Sequence, residues 1–222
     1  MSTAQHSSTD QIMSDFELLR NRFEAETVRP GLIVTTSATS MDGKELTARG
    51  LAYSFAVAGY RTLLIESALS DRIAIKSVHG LTLEELVEKT VPTDLNHGNF
   101  TVLNLELQTL QKSANQRILQ TAIESLRNKF EFIVAIAETG LTTPFAATLT
   151  TAADFVVVSV RIGRRVGRKD ADLANSLQSL GARFSGVVAL EPEVINSEII
   201  SAFSPDSNLG SRRTKASSPF VI

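Results

Sequence analysis

The residues best placed to do chemistry in this chain are Gly43 and Lys44, preceded by Asp42 and followed by Glu45. A glycine lets backbone N–H groups curl around a phosphate, and a lysine at the head of a helix neutralises it, aided by the helix dipole. A working phosphate loop also needs a hydroxyl directly after the lysine to hold Mg²⁺. That position is Glu45, Met41 stands where a further glycine would ease the turn, and Ala38 stands at the first glycine of the G-x-x-x-x-G-K-[ST] pattern. Two unit charges ~4 Å apart at an effective dielectric of about 20 interact by roughly 4 kcal/mol. A carboxylate in the hydroxyl's place therefore repels bare phosphate, unless Glu45 turns toward solvent or itself helps to hold a cation. The competing reading of Gly43-Lys44 is a plain helix start with a surface lysine.

A second cluster is cationic. Arg161, Arg164, Arg165, Arg168 and Lys169 crowd the segment Val160–Lys169, just past an apolar strand and so at its carboxyl end, where doubly wound proteins place ligands. It is a candidate surface for an acidic partner, a phosphate or an anionic polymer; the competing reading is a solvated loop. With Arg212, Arg213 and Lys215 near the end of the sequence, nucleic acid and the inner membrane leaflet also come into view. No aromatic residue interleaves with these cations, which disfavours single-stranded nucleic acid. Asp42, Glu66 and Glu138 gather at one end of the predicted sheet, yet carboxylates without a nucleophile–base pair define no reaction. His6, His79 and His97 show no metal-ligand spacing. No catalytic residue and no metal ligand is assigned.

The elements that position these groups are legible from periodicity. Leu32–Thr36 is a β-branched apolar run, Lys44–Val57 repeats at helical spacing until Gly59, and Arg61–Ile65 is a second apolar run: a βαβ unit with a phosphate-loop layout. Further strands are expected at Phe100–Leu105, Phe132–Ala137, Phe155–Val160 and Phe184–Leu190, with Phe132–Ala137 uncharged and hence central. Helices are expected around Phe16–Phe23, from Thr82 (with Glu85 as capping-box partner), over Ser113–Lys129, Phe145–Ala153 and Asp172–Leu180. Alternating strands and helices predict an α/β fold: a doubly wound, mainly parallel sheet with helices on both faces, like that of phosphate-loop NTPases. Residues 1–14 are expected to be disordered, 15–203 to form one such domain, and 204–222 a flexible basic tail.

Of the 222 residues 43% are hydrophobic and 21% charged, which suits one packed domain. A net charge of −2 offers no global attraction to nucleic acid or anionic membrane. The absence of cysteine excludes disulfides, thiolate metal sites and cysteine nucleophiles. The N-terminal residues lack a signal pattern and no apolar run reaches the length of a membrane span, so a cytoplasmic protein is the simplest expectation.

From Glu17 to Leu190 the chain resembles the cytoplasmic kinase domain of the bacterial tyrosine kinases of capsular and exopolysaccharide synthesis. These are relatives of the partition and septum-positioning ATPases with a deviant phosphate loop. The resemblance rests on Thr36-Ser37 leading to Gly43-Lys44, on Leu51-Ala52 with Ala56 and Gly59, and on Thr62–Glu66. Gly80-Leu81-Thr82 with Leu86, Ala153–Val158 and Ser185–Val188 extend it. Glu17 and Arg20 match the first two members of the family's subunit-contact motif; the third, an arginine, is Phe23, with Arg22 one residue short.

The resemblance implies a site for ATP or ADP with Mg²⁺, a membrane-embedded chain-length (co-polymerase) protein as partner, and homo-oligomers. It thereby implies a place at the inner face of the membrane through that partner. The departures lie where the chemistry would be. The second-strand carboxylate is Glu66, its companion aspartate is Ala68, the metal-orienting aspartate falls at Ile136, and the adenine-reading asparagine falls at Leu190. The tyrosine-rich tail is replaced by a tyrosine-free one. The expectation is a catalytically degenerate, regulatory or scaffolding relative with weakened Mg²⁺ binding and no significant ATP hydrolysis or tyrosine phosphorylation. The alternatives are an active kinase or ATPase using Lys44, Glu45 and Glu66 in unorthodox roles, and a partition-type positioning protein.

Overall fold

The strand Gly31–Ser37 (β1) is buried along its whole length, as expected of a β-branched run with a neighbour on each side. In the computed structural model, which describes residues 2–26, 29–67, 99–105, 116–195 and 197–203, β1 is one of six strands in a single sheet. The others are β2 (Thr62–Ser67), β3 (Phe100–Leu105), β4 (Phe132–Ile136), β5 (Phe155–Arg161) and β6 (Phe184–Leu190). Their order is β3-β2-β4-β1-β5-β6, and every pairing is parallel. The chain leaves β1 in one direction to reach β2 and later returns to β5 on the opposite side. The carboxyl end of β1 therefore lies at the crevice where such sheets bind ligands.

Two helical layers follow from the two-residue side-chain period of the strands. Leu32, Val34, Leu63 and Ile133 point to one face, where α3 (Gln116–Arg127), α4 (Pro144–Ala152) and α5 (Arg168–Ser179) bury Leu119, Ile123, Leu149 and Leu173. Ile33, Leu64, Phe132 and Val134 point to the other. There α1 (Ser2–Glu26), α2 (Lys44–Val57) and α6 (Ser197–Ala202) bury Phe16, Phe23, Leu51, Phe55 and Ile200. The expected α/β architecture, parallel and covered on both faces, is what the chain adopts.

Local differences have physical causes. Helix α1 begins at Ser2, inside the stretch for which composition suggests disorder, and its register buries Met13, Phe16 and Phe23 while Leu18 stays exposed. It packs on α2 so closely that a Cβ at Gly50 would lie 2.1 Å from the Phe16 ring, so only glycine fits there. Helix α5 starts at Arg168, four residues before the apolar pattern does, because Asp170 accepts a hydrogen bond from the Gly167 N–H (2.8 Å) and starts the helix early. The short helix expected from Thr82, the histidines at 79 and 97, Ala68 and the tail 204–222 lie outside the described residues. Among the described residues no helix is long and apolar enough to cross a membrane.

Candidate functional site

The loop between β1 and α2 makes its turn with a carboxylate rather than with glycines. Asp42 is fully buried; its Oδ2 accepts from the Thr39 N–H (2.9 Å) and its own N–H donates to the Thr39 carbonyl (3.2 Å). Its Oδ1 accepts from the Arg161 N–H (3.2 Å) and from Arg164 Nε (2.6 Å). The loop is thus anchored to the β5–α5 connection, which lets Ala38 and Met41 stand where glycines are missing. Gly43 alone takes the left-handed conformation (φ +76°), and a Cβ there would sit 2.7 Å from Leu190 and 3.1 Å from Ile195.

Helix α2 then presents Lys44 inward. The surface-lysine reading is overturned, because Lys44 is only 8% exposed. Its Nζ lies 3.1 Å from Glu45 Oε1 and 3.1 Å from Thr139 Oγ1. Glu45 has not turned to solvent; it provides the lysine's counter-charge from the adjacent position, in the first turn of α2 where the dipole favours an anion. Two of the three ammonium donors are thereby engaged.

A second, deeper ion pair lies along the same helix. Arg49 Nη2 is 2.6 Å from Glu66 Oε2, and both side chains are buried. Burial pushes the Glu66 carboxyl above its ordinary range; the Arg49 guanidinium opposes that shift and the nearby Glu45 carboxylate adds to it. Sequence reading singled out Glu66 and missed Arg49. The available signal was a lone charge in an otherwise uncharged helical stretch, one turn after Glu45.

The positions expected to serve metal and base are hydrophobic. Ile136 is buried in the core beside α2, and Leu190 packs over Gly43. Glu138, two residues beyond Ile136, is turned toward α4: its Oε2 accepts from the Thr143 hydroxyl, which itself caps α4 by accepting from the Ala146 N–H (3.2 Å). Thr47, the next hydroxyl along α2, is buried and accepts from Ser159 Oγ (2.8 Å), so it does not replace the missing one at position 45. Among the described residues no cluster of three or more acidic or histidine side chains is placed to hold a metal ion. The residues present do not fit Mg²⁺ as the phosphate loop would hold it.

The remaining candidates divide. Arg164 is internal: besides holding Asp42 through Nε it grips Asp170 through both terminal nitrogens, Nη1 and Nη2, and this holds the Asp170 carboxyl down at about 2. Arg165, Arg168 and Lys169 are exposed, Arg168 at 3.7 Å from Asp172, while Arg161 contributes its backbone to Asp42. Glu17 and Arg20 are remote from the cradle on α1; Arg20 donates to the Ser54 carbonyl of α2 (3.0 Å) and pairs with Glu24. Phe23 packs on Phe155 of the same sheet, ring centroids 5.2 Å apart.

No protein-family model matches the chain. It is 30% identical over 170 residues to the tyrosine-protein kinase CpsD of Streptococcus pneumoniae serotype 4, covering 71% of this chain and 74% of that protein. The kinase domain of the Escherichia coli tyrosine kinase ETK superposes with a TM-score of 0.61 at 16% identity, over 81% of this chain and 75% of that one. The MinC:MinD cell division complex of Aquifex aeolicus gives a TM-score of 0.55 at 17% identity, over 78% and 77% of the two chains. The last two likenesses concern the fold; the relationship to CpsD carries the family. The chain belongs to the family of bacterial tyrosine kinases that its cradle motifs resemble.

Proposed function

We propose that this chain is a catalytically degenerate member of that family, acting as a regulatory or scaffolding module in capsule or exopolysaccharide synthesis and export. Its place would be beside a membrane-embedded co-polymerase protein at the inner face of the membrane. The observation that carries the proposal is the 3.1 Å contact between Lys44 Nζ and Glu45. An incoming phosphate must displace a carboxylate already seated on the cradle's lysine, and then face that carboxylate as a like charge. The rest of the cradle supports the same reading: an isoleucine at the metal position and a leucine over Gly43 supply neither charge nor hydrogen bonds. Phosphoryl transfer depends on charge neutralisation that these side chains do not provide.

Calorimetric titration with ATP and ADP, with and without Mg²⁺, tests the proposal. We expect no metal-dependent binding and no turnover. A divalent-metal-dependent hydrolysis that Lys44→Ala abolishes would overturn it and restore the kinase or ATPase reading.

A further inference from the structure

The far edge of the sheet carries a surface that the cradle does not use. Val158 and Val160 of β5, Leu173 and Leu177 of α5, and Phe184 and Val187 of β6 line a groove of about 410 Å³. Asp170 and Gln178 are the only polar residues in its lining. Leu173 and Leu177 are buried against β5, but Phe184 is 54% and Val187 57% exposed on the edge strand, and Val166 at the groove's end is 83% exposed. Large apolar side chains gathered in one concavity, next to an edge strand, mark a contact surface rather than ordinary scatter.

The unpaired charge beside this groove is positive, since the two acids there, Asp170 and Asp172, are paired with Arg164 and Arg168. Arg165 directly precedes Val166 and Lys169 precedes Asp170, so two exposed cations stand next to lining residues. Among the described residues no carboxylate forms an ion pair with either of them. Asp170, the one acid in the lining, is neutralised by Arg164. We infer that the groove docks an acidic segment of a partner protein, whose apolar side chains enter between α5 and β6 while its carboxylates meet Arg165 and Lys169. Phe184 is the anchor, since aromatic side chains at the centre of an apolar patch dominate such contacts. A second copy of this chain docked face to face would set the cations against one another. A lipid surface would leave the depth of the groove unfilled.

The groove also touches the cradle through one residue. Asp170 lines the groove and holds Arg164, and Arg164 holds Asp42 in the cradle loop. The inference adds a docking face to the scaffold reading but does not need the cradle to be closed. It is tested without nucleotide, so the two fail separately.

The probe is a fluorescein-labelled peptide alternating glutamate with leucine and phenylalanine, followed by fluorescence anisotropy over a salt series. Saturable binding is expected, weakened about tenfold or more by Val187→Asp and by the rim variant Arg165→Glu/Lys169→Glu, and reduced by salt. The rim substitutions are on exposed side chains, so they test the site without unfolding it; circular dichroism checks Val187→Asp. The idea is overturned by no saturable binding, by equal binding of a lysine-for-glutamate peptide, or by indifference to the rim substitutions. Retention on phosphatidylglycerol vesicles without binding of the acidic peptide overturns it in favour of a membrane contact.

Discussion

Arg164 and Asp42 lie 122 positions apart in sequence, yet Nε of the first is 2.6 Å from Oδ1 of the second, and Asp42 is fully buried. Each is a candidate for outside ligands when read from the sequence, one for an acidic partner and one for a nucleotide. In the folded chain each is the other's ligand. The cradle loop thereby gains a rigid support that does not depend on bound phosphate.

Asp42→Ala should be among the most destabilising single changes in the protein. It takes from the almost buried Arg164 one of its two carboxylates, leaving Nε without the acceptor while Asp170 keeps the other nitrogens, and it frees the N–H groups of Thr39 and Arg161. Each buried donor left without its acceptor costs about 1–3 kcal/mol. Urea unfolding followed by circular dichroism measures this directly; a loss below about 1 kcal/mol, the level of an exposed pair, would show that the network does not hold the loop.

Glu45→Thr should open the cradle. The substitution removes the counter-ion of Lys44 and restores a hydroxyl at the metal position, while Ile136 still denies a carboxylate. Calorimetry should register ADP binding in the variant and none in the unmodified chain, with Mg²⁺ adding less than tenfold. If the variant remains as inert as the parent, Leu190 and Ile195 above Gly43 are the stronger barrier.

Arg49→Met should destabilise by about 3–5 kcal/mol at neutral pH, because it leaves the Glu66 carboxylate buried and unpaired. The double variant Arg49→Met/Glu66→Leu should recover most of that loss. The sign of the pH dependence follows from Glu66, whose carboxyl holds its proton more tightly in the folded chain than at its ordinary value of 4.5. Its contribution to stability is fully present below that value and is lost as pH rises through the folded value. Thermal melts of Arg49→Met should therefore show stability falling as pH rises above 4.5, more steeply than in the parent. A flat profile, or one of opposite slope, contradicts the assignment.

Gly50→Ala should lever α1 away from α2, since the new methyl would meet Phe16 at 2.1 Å with the ring packed edge-on against Phe203. Overpacking of this kind costs about 1–3 kcal/mol. Phe16→Leu in the same chain should return part of the loss. Equal melting temperatures for Gly50→Ala and its parent would mean that α1 is not seated on α2 as described.

The sequence by itself determined the layered parallel sheet. Short apolar runs such as Leu32–Thr36 and Phe132–Ile136 have one stable use, as buried strands, and the helical spacing between them leaves no other connection. It also located the cradle and the missing hydroxyl at position 45, because these are matters of residue type at adjacent positions. Only the tertiary structure decided what those residues do. Lys44 is occupied because β4 brings Thr139 to it and α2 turns Glu45 back upon it; Asp42 is structural because β5 pairs beside β1 and delivers Arg164. Periodicity is a local property of the chain and survives without knowledge of strand order. Pairings between charges a hundred residues apart exist only once the order β3-β2-β4-β1-β5-β6 has set which strand ends meet.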